Sequence, residues 1–265
     1  MLNSVVMGQY LPVDSPVHKM DPRAKLLATA LTGITVLVAT SWLGMLTVTF
    51  WIMLVLAAAR IKVALYWQIY KPLWLLLLIS FVLQILFTPG EPLFILGRLS
   101  LSETGLTAGG RMLWQMTGLL LVAAVLTFST TPIQLSTALE RLLLPLTKLR
   151  VPVRELAMAI NLALRFVPTL FDEARLLISA QRSRGADFTR GGIRQRTRGL
   201  IPFLIPLLTN IFRRADELAV AMEIRCYRTG AERSNINELK FKLSDYLVVL
   251  VSLIILLITL YPYWR

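Results

Sequence analysis

One cysteine, Cys226, and one histidine, His18, leave this chain without an internal disulfide framework and without a zinc site, which needs several Cys or His ligands. No GxxxxGK[ST] loop is present to cradle a nucleotide phosphate. The nearest stretch, "GGIRQRTRG" (191–199), lacks the Lys-Ser/Thr ending that holds phosphate and magnesium. The first twenty-odd residues lack a basic start and an apolar h-region, so no cleavable signal peptide is expected and insertion would use the first span itself. Acidic residues are scarce: 15 Asp and Glu face 28 Lys and Arg, for a net charge of +13.

What is abundant is apolar surface. At 56% hydrophobic and a mean hydropathy of +0.66, the chain exceeds an ordinary soluble domain while keeping enough charge for a sizeable aqueous part. The class is an integral membrane protein. Residues 26–59 carry no charge, and one straight helix of that length would rise ~50 Å, beyond a hydrocarbon core of ~30 Å. Two spans are expected instead, broken near Thr40, Ser41 and Gly44, with Trp42 at the interface. Further spans are expected at 73–88, 112–130 and 246–263. "PGEPLFILGRLSLSETG" (89–105) reads as a loop or re-entrant segment. The fold class is all-α, about five transmembrane helices plus a cytoplasmic or interfacial helical domain. A segment with four spans is expected at 1–130, amphipathic and long helices at 131–242, and a last span at 243–265.

Charge placement orients the chain. Lys19, Arg23 and Lys25 precede the first span, and Arg60, Lys62 and Lys71 follow the second, so both regions are expected in the cytoplasm. Residues 148–242 hold 18 of the 28 Lys and Arg and 9 of the 15 Asp and Glu, which assigns that stretch to the same side. Its pattern is helical. Thr131 and Pro132 open an amphipathic helix suited to a membrane surface. A second helix is expected from Val153 to a stop at Gly185, with Pro168 able to kink it, and a third from about "LIPFLIPLL" to about Arg228. "RGGIRQRTRG" (190–199) reads as a basic connector. Ala157, Ala163 and Ala174 on one helix and Ala215, Ala219 and Met222 on the other suggest an antiparallel or crossed pair packed through small residues.

Most arginines here read as solvated charges: Asp172 with Arg175 and Arg213 with Glu217 have ordinary helix-pair spacing. Arg184 and Arg225 differ in lying near the ends of long helices, where a planar guanidinium fork can reach a partner's carbonyls or carboxylates. An enzyme would need a charged constellation. Asp172 with Glu173 and Asp216 with Glu217 are adjacent pairs pointing ~100° apart, so at most one of each can face a common site. A polytopic membrane enzyme using these acids is therefore the weaker alternative, and a lone His18 fits a hydrogen-bonded structural role better than a base. Nucleic acid is disfavoured because the basic connector has only Phe188 near it for stacking.

Three stretches resemble the transmembrane T component of energy-coupling factor transporters, a branch of the ABC importers. "GQYLPVDSPVHKMDPRAKL" (8–26) is similar to the family's opening. "ALRFVPTLFDEARLLISAQRSRGADF" (163–188) looks like its first coupling helix, and "AMEIRCY" (221–227) like the end of its second. The family's two short motifs are Ala-Arg-Gly or close relatives; here they read Ser183-Arg184-Gly185 and Ile224-Arg225-Cys226. The second departs at both flanks, and Cys226 reaches a left-handed backbone less easily than glycine, so either it stays helical or the turn comes at Gly230. The resemblance implies a non-catalytic subunit of the prokaryotic plasma membrane, with no cofactor or metal, that transmits ATP-driven motion for vitamin or micronutrient uptake. Its implied partners are two cytoplasmic ABC-type ATPases, met at the two motifs, a membrane-embedded substrate-binding S component, and the lipid bilayer.

Overall fold

The computed structural model describes residues 10–89, 92–96, 99–184, 193–228 and 241–261. It divides into two compact units, one comprising Met1–Ala138 and Asn237–Arg265, the other Leu139–Ile236.

The first unit is built from five helices: α1 (Pro22–Val38), α2 (Trp42–Ala59), α3 (Val63–Phe87), α4 (Glu103–Ser129) and α8 (Leu243–Leu260). The long uncharged run breaks as its length requires. Helix α1 stops at Val38, Ala39 turns extended, and Ser41 takes the N-cap position of α2 beside a largely exposed Trp42. Helices α2, α3, α4 and α8 are each long and apolar enough to cross a membrane. At 17 residues, α1 is a little shorter, rising ~25 Å, and it packs along α8 and α4.

Between α3 and α4, where a loop or re-entrant segment was expected, the backbone forms an antiparallel hairpin of β1 (Pro92–Leu96) and β2 (Leu99–Ser102), with a register shift between Pro92 and Phe94. The Ser102 hydroxyl then caps α4, accepting from the Gly105 N–H at 3.0 Å.

Close approach between helices rests on glycine. A Cβ at Gly105 would lie 2.9 Å from the Ile85 carbonyl oxygen of α3, and one at Gly118 3.2 Å from Val36 of α1. Gly105 and Gly109 form the small-xxx-small spacing that lets membrane helices touch backbone to backbone. Several polar side chains inside the bundle find partners, while Tyr66 Oη, buried in the core, has none among the described residues. Tyr70 Oη donates to the Thr117 carbonyl at 2.9 Å, and Trp114 Nε1 to Thr49 Oγ1 at 2.9 Å. Val36, Val48 and Ile52 form one buried core, and Ala59, Tyr66, Val125 and Phe128 belong to another. Phe50, Met53, Trp74, Leu250 and Leu257 point outward, the pattern of a bundle whose solvent is lipid.

Helix α5 (Pro132–Leu143) crosses the boundary between the units and runs into a 3₁₀ segment, Leu144–Leu149, which ends at Arg150 in the left-handed region. The rest of the second unit is α6 (Val153–Ser183) and α7 (Ile193–Ile224). The pair is antiparallel. Near the end of α6, Gln181 Nε2 donates to the Pro202 carbonyl at 3.3 Å, while further back Glu173 pairs with Arg214. The Gln181 bond has a covalent cause: Pro206 has no N–H to give the Pro202 carbonyl its helical partner, and Gln181 supplies one.

Two expectations fail in this unit. The stretch read as a connector is helical from Ile193 onward, because Pro202 and Pro206 lie inside α7 rather than at its start. Of the small-residue stripes expected to join the two helices, Ala163, Ala215 and Ala219 are exposed, whereas Ala157 is buried and Ala174 and Met222 are half-buried. The half-buried stripe of α7 instead carries Asn210, Arg214, Leu218 and Met222, held by the Glu173–Arg214 pair and by Arg214 lying 6.0 Å from the Phe166 ring centre.

Candidate functional site

Both arginines singled out in the sequence stand at helix C-termini. Helix α6 closes with the Arg184 N–H donating to Ala180 O at 3.2 Å and Gln181 O at 3.1 Å, and Ser183 Oγ to Ser179 O at 3.2 Å. Gly185, the third member of that motif, lies outside the described residues. Helix α7 ends in a complete Schellman motif. The Tyr227 N–H reaches back to Met222 O at 3.0 Å and the Cys226 N–H to Glu223 O at 2.9 Å, with Cys226 at φ 56°. Neither alternative expected for Cys226 is adopted: it does not stay helical, and the chain turns left-handed at Cys226 itself rather than waiting for Gly230. A cysteine does here what glycine does more easily, because two otherwise orphaned carbonyls gain partners only if this residue turns.

Ser183, Arg184, Ile224, Arg225 and Cys226 are all exposed, Ile224 to 77%. Among the described residues neither Arg184 nor Arg225 has a hydrogen-bonding or ionic side-chain partner. Each guanidinium sits where the helix leaves unpaired carbonyls and partial negative charge, which offsets some of its own charge and leaves its five N–H donors free. Since α6 and α7 run antiparallel, the two tips lie at opposite ends of the pair. From Pro202, beside Gln181, to Arg225 is roughly 35 Å of helix. The arrangement is two separate, exposed, cationic helix ends and not one converging site.

The acids and histidine weighed for catalysis are placed otherwise. Glu173 is bound to Arg214, Asp172 lies 3.8 Å from Arg175, and Glu217 lies 3.9 Å from Arg213. His18 Nδ1 shares a 2.6 Å hydrogen bond with Ser15 Oγ, and its ring meets Tyr10 edge-on. Burial, followed by the nearby Lys25 charge, lowers the His18 pKa from 6.5.

A second polar constellation joins chain segments remote in sequence, at the start of α1 and α8 and the end of α4. The Asp21 side chain caps α1, accepting from the Arg23 N–H at 2.9 Å. Asp245, fully buried, accepts from the Asp21 N–H at 3.3 Å and the Lys242 N–H at 2.9 Å. Lys25 Nζ donates to Ser129 O at 2.8 Å and His18 O at 3.1 Å. The "MDPRAKL" stretch thus ties three helix ends together. Asp245 escaped the sequence reading; the available signal was an acid in the first turn of an otherwise apolar span.

Residues 14–236 match the cobalt transport protein family, CbiQ. The chain belongs to this family. Curated relatives extend the likeness over the full length. The energy-coupling factor transporter transmembrane protein EcfT of Acidaminococcus fermentans is 40% identical over 264 residues, covering 100% of this chain and 98% of the relative. Those of Heliobacterium modesticaldum and Brevibacillus brevis are each 39% identical, covering 98% and 100% of this chain and 98% and 100% of theirs. The resemblance drawn from the three stretches is borne out. Those relatives are named as transmembrane proteins, and this family member is, among the described residues, an all-helical transmembrane protein apart from its hairpin.

Proposed function

We propose that the chain is the coupling subunit of an energy-coupling factor importer in a prokaryotic plasma membrane. Its α6–α7 pair lies on the cytoplasmic side, with Arg184 engaging one ATPase and Arg225 a second. The observation that carries this is the pair of exposed arginines without side-chain partners among the described residues, one at the C-terminus of each of two long antiparallel helices, in a chain similar over its whole length to EcfT proteins. Two contact points ~35 Å apart suit two subunits better than one. As those subunits close and open, the helix pair would carry the motion to a membrane-embedded S component that holds a vitamin or other micronutrient. The positive charge of the 148–242 stretch supports its cytoplasmic placement.

Co-expression with cognate ATPases and an S component, followed by purification through this chain, is the test. Recovery of both ATPase copies with ATP-dependent uptake is expected. ATP turnover by the rigorously purified chain alone would contradict the proposal.

A further inference from the structure

In the second unit, where the 3₁₀ segment meets α6, a cavity of about 310 Å³ is lined by Arg141, Arg154, Arg165, Asn161 and one acid, Glu140. Arg154, Met158, Asn161 and Arg165 recur at helical spacing, so one face of α6 supplies most of the wall. Leu144, Met158 and Leu162 supply its apolar part. Leaving aside Arg154, which has a partner of its own, Arg141 and Arg165 stand against the single carboxylate of Glu140 and leave an excess of one positive charge. Among the described residues neither Arg141, Arg165 nor Glu140 takes part in an ion pair. Arg141 Nε and Asn161 Oδ1 are both buried without a hydrogen-bond partner. Buried polar atoms are nearly always satisfied, so the Arg141 Nε–H calls for an acceptor, whereas Asn161 Oδ1 as it stands calls for a donor. The Asn161 carboxamide, turned over, presents its NH₂ to the same ligand as the arginines.

The surroundings select among oxyanions. Leu143, Leu146, Leu149 and Val151 are exposed in the segment that leads into α6, a density of apolar side chains that a purely aqueous site would not carry. Apolar side chains beside clustered arginine are the composition of a segment lying in the headgroup region of an anionic membrane. We infer that the cavity holds the phosphate of an anionic phospholipid, with Arg141, Arg165 and Asn161 donating to its oxygens and Leu144, Met158 and Leu162 contacting the glycerol end of the acyl chains. Bidentate guanidinium contacts to phosphate supply the selectivity.

The full chain in nanodiscs gives the test. Native mass spectrometry after release should show phosphatidylglycerol retained over phosphatidylcholine. The Arg141→Gln/Arg165→Gln variant should lower that retention at least tenfold, while Lys148→Gln/Arg150→Gln, which removes the same charge from exposed positions outside the cavity, should change it less than twofold. Asn161→Asp, nearly isosteric, provides a second route should the arginine pair disturb folding, and it too should lose the lipid. Equal losses from both charge pairs would reduce the effect to general surface charge and overturn the inference. So would unchanged retention in both cavity variants, or displacement of the lipid by millimolar inorganic phosphate, which would make the ligand a soluble anion.

Discussion

Asp21 and Asp245 meet across 224 positions of sequence, the Asp21 N–H donating to Asp245 Oδ1 at 3.3 Å where α1 and α8 both begin. Asp245 is fully buried and also takes the Lys242 N–H, so one carboxylate closes the first turn of α8 and fastens it to α1. Burial lowers the Lys25 pKa to about 8, and the charges of Asp245 and Asp21 work against that fall by favouring its ammonium form. Asp245→Asn keeps the shape but removes the charge and turns one acceptor into a donor facing an N–H. A loss of about 3 kcal/mol is expected, the cost of stranding a buried cation. Thermal unfolding of the detergent-solubilised chain measures it, and a midpoint unchanged from wild type would count against the network.

His18 makes stability depend on pH. Its folded pKa lies below 6.5, the unfolded value, so the unfolded chain binds more protons wherever the pH falls through 6.5. Stability from this group is complete above 6.5 and is lost on acidification until the folded pKa is passed. Unfolding midpoints from about pH 5.5 to 7.5 should fall toward acid in the wild type and fall less in His18→Asn, which cannot titrate. Parallel curves for the two proteins would show that His18 is not the group responsible.

The Schellman turn at the end of α7 is made by an unfavourable residue. A left-handed non-glycine residue costs about 1 kcal/mol, so Cys226→Gly should slow hydrogen exchange of the Cys226 and Tyr227 amides despite the entropy glycine adds to the unfolded chain. Cys226→Val, β-branched and poorly suited to positive φ, should speed it. Faster exchange in the glycine variant would mean that the turn depends on the cysteine side chain.

What the sequence made legible follows from how local each cause is. The break between α1 and α2 follows from hydrocarbon thickness and a run too long to be one helix. The two arginine tips follow from helix length and short motifs. The motif carried the second tip correctly even though Cys226 replaces its glycine, because a backbone turn can be held by hydrogen bonds as well as by residue preference. The face that joins α6 to α7 was legible only in part, Met222 but not Ala215 or Ala219 lying on it, because alanine spacing allows several contact stripes and the Glu173–Arg214 pair, 41 residues apart, selects one of them. Asp245 was overlooked for the same reason: its partners are remote. Gly105 and Gly109 stood in the sequence at the spacing that explains α3 and α4, yet sat in a stretch read as partly loop.

The tips bear most directly on function. Truncating a guanidinium that bonds a partner in a desolvated contact costs ~2 to 5 kcal/mol, because the partner's acceptor is left unpaired. Arg184→Lys and Arg225→Lys should restore only part of the loss, since ammonium has no planar fork. Arg213, exposed and mid-helix beside Glu217, is the matched control, as a solvated pair contributes ~0 to 1 kcal/mol. The measurement is ATPase copurification and substrate uptake in Arg184→Ala, Arg225→Ala, their double variant and Arg213→Ala, each confirmed to be membrane-inserted. Loss in either tip variant, a greater loss in the double, and near wild-type behaviour for Arg213→Ala is the expected result; wild-type assembly and uptake in the double variant would contradict the role assigned to the two helix ends.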